Sequence, residues 1–175
     1  KYSASASTAC VDCYGGQADA DKDASTPCVA CSAGEYSRRN ATSCTACIAG
    51  RADLDGDPST ICEACSVGFY SDARSLGCSE CGRNMMDDDS DPSTPCVACS
   101  IGYVSDAGST SCSACGVGQL YYNSTEGVGM CMGCDVGQYQ DAVAQTSCIG
   151  CAAGRNAGVC RLLRRREGAQ RLVAP

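Results

Sequence analysis

The sequence predicts a small disulfide-rich repeat protein, an elongated rod of short β-hairpins and turns with little helix outside the C-terminal tail. Three observations lead there. The first is that eighteen of the 19 cysteines fall into nine CxxC pairs: Cys10/Cys13, Cys28/Cys31, Cys44/Cys47, Cys62/Cys65, Cys78/Cys81, Cys96/Cys99, Cys112/Cys115, Cys131/Cys134 and Cys148/Cys151. A longer step, Cys10 to Cys28, alternates with a shorter one, Cys28 to Cys44, until the last two steps each lengthen by one; the result is a 34-residue repeat of one long and one short half. Such self-similarity means that each unit contacts mainly its neighbours. The second is a thin apolar complement: Leu, Ile, Val and Phe number only 22 of 175 residues, and Trp is absent. Chains of this kind bury too little apolar surface to offset backbone ordering, so cross-links must replace a core. The third is a recurrent turn signal after every pair.

That signal is Gly at the third residue after the second cysteine, at Gly16, Gly34, Gly50, Gly68, Gly102, Gly118, Gly137 and Gly154, with Asn84 at the ninth place. Gly and Asn tolerate positive φ, so each CxxC leads into the same tight turn. Ala30, Ala46, Ala64, Ala98 and Ala114, then Gly133 and Gly150, stand just before the second cysteine, where two crowded disulfides demand small side chains. Turn residues every few positions leave room for hairpins but not for a ten-residue helix. In the short halves the turn is followed by a Tyr, at Tyr36, Tyr70 and Tyr139, with Tyr103 one position off. The ring is expected to lie on the adjacent disulfide as apolar cover.

The long halves carry an acidic loop instead. Asp19/Asp21/Asp23, Asp53/Asp55/Asp57 and Asp87/Asp89/Asp91 recur with the period of the repeat, each followed by Ser-Thr before the next cysteine. Alternate carboxylates on a turn form a candidate Ca²⁺ site, since hard oxygens suit that ion. The competing reading is a solvated acidic turn that keeps the chain soluble. No cofactor is otherwise required. The fourth long loop has Tyr121, Asn123 and Thr125 at the corresponding places and lacks the acidic set.

Two pairing schemes stay open on the sequence. Linking the second cysteine of each pair to the first of the next joins Cys13–Cys28, Cys31–Cys44, Cys47–Cys62, Cys65–Cys78, Cys81–Cys96, Cys99–Cys112, Cys115–Cys131 and Cys134–Cys148, lets Cys151 meet Cys160, and leaves Cys10 unpaired or intermolecular. The rival joins pairs two by two, first to third and second to fourth. Cysteine usage of this density calls for an oxidising, extracellular or cell-surface setting. Asn40-Ala41-Thr42 and Asn123-Ser124-Thr125 are glycosylation acceptors and agree with it. The polar stretch Lys1–Ala9 reads as a processed start, and no stretch is apolar enough to span a membrane.

Organisation follows as an N-terminal segment (1–9), tandem CxxC repeats (10–160) and a basic tail (161–175). The tail holds five Arg against one Glu, so the acidic excess of a chain with formal net charge −7 lies in the repeats. An acidic body excludes nucleic acid as partner. With no His in the chain, His-based acid/base catalysis and His metal ligation are excluded. Leu162, Leu163, Leu172 and Val173 give the tail helical potential; its charge favours docking on a neighbouring acidic surface, with a membrane-surface element, a processed linker remnant or a protease site at Arg164-Arg165-Arg166 as the alternatives.

The run Cys28-Val29-Ala30-Cys31-Ser32-Ala33-Gly34-Glu35-Tyr36-Ser37, repeated over Cys62–Ser71, resembles the cysteine-rich repeats of ephrin-receptor-like and growth-factor-receptor-like extracellular proteins. The resemblance covers about residues 10–154 and implies a non-enzymatic extracellular scaffold. Such repeats also occur in surface and flagellar-hair proteins of protists and algae. The leading functional expectation is therefore a structural protein, a disulfide-stapled rod that assembles with copies of itself into a surface fibre, flagellar hair or matrix. Other extracellular proteins and glycans are the remaining expected partners. The alternative is a receptor-like ligand-binding or adhesion ectodomain, with the irregular 112–148 region and its Tyr121, Tyr122 and Met130 as the place for a site. A four-thiolate zinc scaffold is the minor alternative, because the spacing between successive CxxC pairs fits such sites.

Overall fold

The computed structural model describes residues 1–3, 8–124 and 127–152. Two compact units divide the chain: a first comprising Lys1–Cys81 and Asp87–Val97, and a second comprising Gly82–Met86 and Ala98 onward. Among the described residues there is no helix, and the regular structure is sixteen short strands. The basic tail, with its expected helical potential, lies outside them. In chain order the strands are β1 (Gln17–Ala18), β2 (Val29–Ala30), β3 (Glu35–Tyr36), β4 (Thr45–Ala46), β5 (Arg51–Ala52), β6 (Glu63–Ala64), β7 (Phe69–Tyr70), β8 (Ser79–Glu80), β9 (Met85–Met86), β10 (Val97–Ala98), β11 (Tyr103–Val104), β12 (Ser113–Ala114), β13 (Gln119–Asn123), β14 (Gly129–Gly133), β15 (Gln138–Tyr139) and β16 (Ile149–Gly150).

Apart from β13 and β14, each strand pair among the described residues is two residues deep, because the segment after a turn glycine meets only the two residues between the cysteines of the next pair. In the first unit β1–β2, β3–β4, β5–β6 and β7–β8 pair antiparallel in this way. In the second, β11–β12 and β15–β16 do the same. Disulfides close every one of these loops. Eight of them join the second cysteine of one pair to the first of the next, from Cys13–Cys28 to Cys134–Cys148, with separations of 13 to 16 residues. Their Cα–Cα distances of 5.3 to 5.8 Å lie in the range an unstrained cystine adopts. Cys160, the expected partner of Cys151, lies outside the described residues.

The turn after each pair is fixed by one recurrent set of bonds. The residue after the second cysteine accepts a hydrogen bond from the N–H three residues on, as in Ser32 with Glu35 and Ser66 with Phe69. The third member of that turn has positive φ at all eight described places, from Gly34 at 74° to Gly102 at 92°, with Asn84 at 59°. That is a type II turn, whose third residue takes a positive φ that Gly, and next Asn, adopts with least strain. The same residue's carbonyl then accepts the N–H of the next second cysteine, at 2.8 to 3.0 Å from Gly16–Cys31 through Gly137–Cys151. Turn and cystine are thereby locked to each other.

Half-repeats also bond across one another inside a unit. Gly16 N–H donates to Ser37 carbonyl and Gly50 N–H to Ser71 carbonyl, while Ser37 and Ser71 N–H donate to Pro58 and Pro92. Among the described residues, the most deeply buried apolar side chains are Cys13, Cys47, Cys81 and Cys115, spaced by 34, together with Ala18 and Ala52. Large aliphatics are left outside: Ile101 is 73% exposed and Val136 wholly so. Tyr36 and Tyr70 in the short halves are half-buried, and the serines after them are buried, Ser37 at 2% exposure and Ser71 at 3%. Ser37 Oγ donates to Gln17 carbonyl at 2.8 Å and Ser71 Oγ to Arg51 carbonyl at 3.2 Å, so each hydroxyl satisfies a ladder carbonyl that water cannot reach.

Close approach adds to the demand for glycine. A Cβ on Gly34 would run into the carbonyl of Arg74, whereas one on Gly56, also at positive φ, would point into open space. Gly34→Ala and Gly56→Ala therefore share a left-handed backbone cost of about 1–2 kcal/mol, and Gly34→Ala carries roughly 1–3 kcal/mol more from overpacking. Guanidinium unfolding with disulfides intact is expected to rank Gly34→Ala well below Gly56→Ala; equal midpoints would contradict the packing.

Candidate binding site

The three acidic loops are the first candidate, and their geometry is that of self-closing turns. Asp21 Oδ1 accepts the Asp23 N–H at 3.0 Å and its carboxylate accepts the Thr26 hydroxyl at 2.8 to 3.0 Å. Asp23 Oδ1 accepts both the N–H and the hydroxyl of Ser25, at 2.9 and 2.7 Å. The arrangement recurs with Asp55, Asp57 and Thr60, and with Asp89, Asp91, Ser93 and Thr94. The leading member of each triplet does different work. Asp53 is 8% and Asp87 6% exposed; Asp87 Oδ2 accepts the Gly68 N–H at 2.8 Å, and the Asp19 and Asp53 N–H groups donate to Ala41 and Ser75. Among the described residues no group of three or more His, Cys, Asp or Glu is placed to hold a metal ion. The expected convergence of alternate carboxylates is thus not what the loop forms: two of the three fold back onto their own backbone and the third is turned inward.

These bonds favour the ionised carboxylates. The Asp23 N–H holds Asp21 below its ordinary range, with the Thr26 hydroxyl second; the Asp57 N–H and then Thr60 do the same for Asp55. Asp23 is lowered by the Ser25 N–H and then its hydroxyl, Asp91 by the Ser93 hydroxyl and then its N–H. Asp12 is lowered by its hydrogen bond to Lys1, with Arg39 assisting.

The cysteines are placed as cystines, not as metal ligands. Sixteen of them are consumed in the eight disulfides, which leaves those sulfurs without the thiolate charge that zinc requires and removes the four-thiolate reading there. The pairing taken is second-to-first between successive pairs, and the rival first-to-third scheme is not formed. Cys10 is free and exposed. Asn40 and Asn123 both stand at exposed positions, as a glycan acceptor must.

The departure from regularity lies in the second unit. Where the acidic set is missing, the long loop becomes an extended hairpin, β13 pairing with β14 over five residues in the register Gln119↔Gly133 to Asn123↔Gly129. Tyr121 packs its ring on Gly129, leaving no space for a side chain there, and Asn84 Nδ2 donates to the Gly129 carbonyl at 2.8 Å. Tyr122, Met130 and Met132 are exposed on this hairpin. Beside it runs an open groove of about 650 Å³, bordered by Arg83, Asn84, Val104, Asp106, Thr110 and Met130. Arg83 and Asp106 face each other across 3.9 Å and are largely solvated, so both charges remain available to a partner. The groove's chemistry is mixed, with hydroxyl, amide and thioether groups side by side.

It is this segment that matches a known family. Residues 118–158 fit the family described as tyrosine-protein kinase ephrin type A/B receptor-like. With the disulfide pattern, the match makes this stretch a cysteine-rich repeat of the ephrin-receptor-like type, which is an extracellular, non-catalytic kind of domain. A search of curated proteins returns no significant match. No helix among the described residues is long and apolar enough to cross a membrane.

The ion-stabilising bonds of the acidic loops have a sign that can be measured. A carboxylate whose folded pKa is depressed contributes stability above its unfolded value, about 3.9, and loses it as pH falls through the lower folded value. NMR titration of Asp55 is expected to show a midpoint below that of a free aspartate. Thr60→Val should move it up toward the ordinary range while leaving the neutral-pH structure unchanged; an unmoved midpoint would show that Thr60 does not hold the carboxylate.

Proposed function

We propose that this chain is a non-enzymatic structural component of an extracellular surface, a disulfide-stapled scaffold whose repeated face meets the same face on other copies to build a fibre, surface hair or matrix. The observation that supports it best is the periodic recurrence of whole bonding patterns. Gly16 to Ser37 is repeated as Gly50 to Ser71, Ser37 to Pro58 as Ser71 to Pro92, and the Asp21–Thr26 loop as Asp55–Thr60 and Asp89–Thr94. A surface that recurs at a fixed interval offers a neighbour the same contact many times over, and a contact that does not close on itself propagates. Weak individual contacts then add through multivalency. Glycans on Asn40 and Asn123 belong to this proposal as solubilising decoration of exposed loops.

A second reading has its own support. The hairpin of β13 and β14, the one long half without an acidic turn, carries exposed Tyr122, Met130 and Met132 next to the groove and lies within the family match. A receptor-like or adhesive ectodomain would bind a protein partner there, because aromatic and Met side chains are enriched at interface centres.

The two separate in one experiment. Negative-stain microscopy of native material is expected to show ordered polymers that disperse on treatment with reductant. A homogeneous monomer that binds a ligand saturably, with binding lost in Tyr122→Ala and Met130→Ala, would replace the structural reading with the receptor-like one.

A further inference from the structure

The segment around Cys10 repeats, in detail, the closing half of a short half-repeat. Tyr2 precedes Cys10 by the same interval as Tyr36 precedes Cys44 and Tyr70 precedes Cys78. Tyr2 forms an antiparallel bridge with Val11, the residue after Cys10; Tyr36 pairs with Thr45 and Tyr70 with Ser79, the residues after Cys44 and Cys78. Both bridge hydrogen bonds are made, Tyr2 N–H to Val11 carbonyl at 2.9 Å and Val11 N–H to Tyr2 carbonyl at 2.7 Å. Ser3 N–H donates to the Ala24 carbonyl at 2.7 Å, and the same bond recurs one period on as Ser37 to Pro58 and one further as Ser71 to Pro92. The backbone around Cys10 is therefore already set in the ladder of its equivalents.

At those equivalent places the chemistry is known. Cys28, Cys44, Cys62, Cys78, Cys96, Cys112, Cys131 and Cys148, each the first cysteine of its pair, are all bonded to the second cysteine of a preceding pair. In the short halves of the first unit that partner stands 13 residues earlier. Cys10 occupies the same position with an exposed thiol. We infer that Cys10, with Tyr2, Ser3 and Val11, is the receiving half of a further short half-repeat, and that it takes in disulfide linkage the second cysteine of a segment of the form Cys-X-X-Cys-X-X-Gly. The glycine of that segment is part of the recognition, because every described second cysteine from Cys31 to Cys151 donates its N–H to the carbonyl of the turn residue before it; the incoming glycine would offer that carbonyl to Cys13. The segment can be supplied by the same polypeptide or by a second molecule, with identical chemistry. Formation of the S–S bond takes one proton and one electron from each thiol, and the two electrons reduce a disulfide oxidant of the glutathione type to two thiols. The inference stands on repeat geometry and holds even if the chain proves to be a monomeric binder.

Two measurements test it. Non-reducing proteolysis and mass spectrometry of native material are expected to find the Cys10 peptide joined to a peptide in which the bonded cysteine is the second of a CxxC and is followed three residues on by Gly. A partner from the same polypeptide or from another molecule then identifies the source. Cys10 recovered as a free thiol, or joined to a cysteine without that context, overturns the inference. In the second, the folded 175-residue chain is given a synthetic peptide copying residues 28–34 with Cys28→Ser, in a glutathione buffer. Mixed disulfide at Cys10 should exceed that with a scrambled peptide by roughly fivefold, the scale set by the one backbone hydrogen bond from Cys13, and the preference should vanish in denaturant and in Cys10→Ser. Equal capture of both peptides by the folded chain refutes a built receiving site.

Discussion

A cystine that joins the end of one CxxC to the start of the next makes each pair of cysteines a node where two loops are tied, and the rest of the fold is arranged around those nodes. Among the described residues, Cys13, Cys47, Cys81 and Cys115 are the largest side chains that are completely buried, a place that Leu, Ile or Phe would hold in an ordinary domain. Closing a loop of about 15 residues removes roughly 3 kcal/mol of freedom from the unfolded chain in the entropy model, so stability is gained by restricting the alternative states more than by hiding oil. This explains how a chain can leave Ile48, Ile61 and Val67 more than half exposed and still hold a defined backbone.

Covalent ties fix which segments meet; the backbone bonds fix how. Type II turns place each glycine carbonyl opposite the next second cysteine, and the serine hydroxyls at 37 and 71 fill the remaining need of ladder carbonyls sealed from water. Acidic loops follow the same economy. Two carboxylates of each loop bond the N–H groups and hydroxyls of their own loop, so that part of it is satisfied locally. Solvated on the outside, they leave the chain strongly anionic, which opposes nonspecific association.

What the sequence made legible is what spacing and glycine can encode. The CxxC interval implied short closed loops, as formed by Cys31–Cys44 and Cys115–Cys131. Gly or Asn at one position in nine equivalents implied a turn with positive φ, as found from Gly16 to Gly137. Other features had no such marker. Each described half-repeat contains a second left-handed residue, Lys22, Gly56, Ser90 and Gly127 in long halves and Asn40, Arg74, Gly108 and Ala144 in short ones, and the Lys, Ser, Arg and Ala among them carry no signal for that conformation. They are held there by neighbours: Asn40 and Arg74 donate their N–H groups to the carbonyls of Cys13 and Cys47, one node away. The burial of Ser37 and Ser71 and the inward turn of Asp53 and Asp87 were hidden for the same reason, since small polar residues look alike in sequence whether they face water or a ladder carbonyl. Three aspartates read as one cluster because their spacing is uniform, yet the backbone gives the first a different direction from the other two.

The fourth long half shows what the acidic turn does by what happens without it. With Tyr121 and Asn123 in place of carboxylates, the two arms go on pairing for five residues. The longer arms expose a two-sided ribbon; one face is taken by Tyr121 packing on Gly129, and exposed positions hold Tyr122, Met130 and Met132. Loss of a local cap therefore converts a self-contained loop into an unsatisfied surface with aromatic and thioether groups on it. Among the described long halves it alone lacks the self-closing acidic turn, and that is the ground on which the second reading above places a binding surface there.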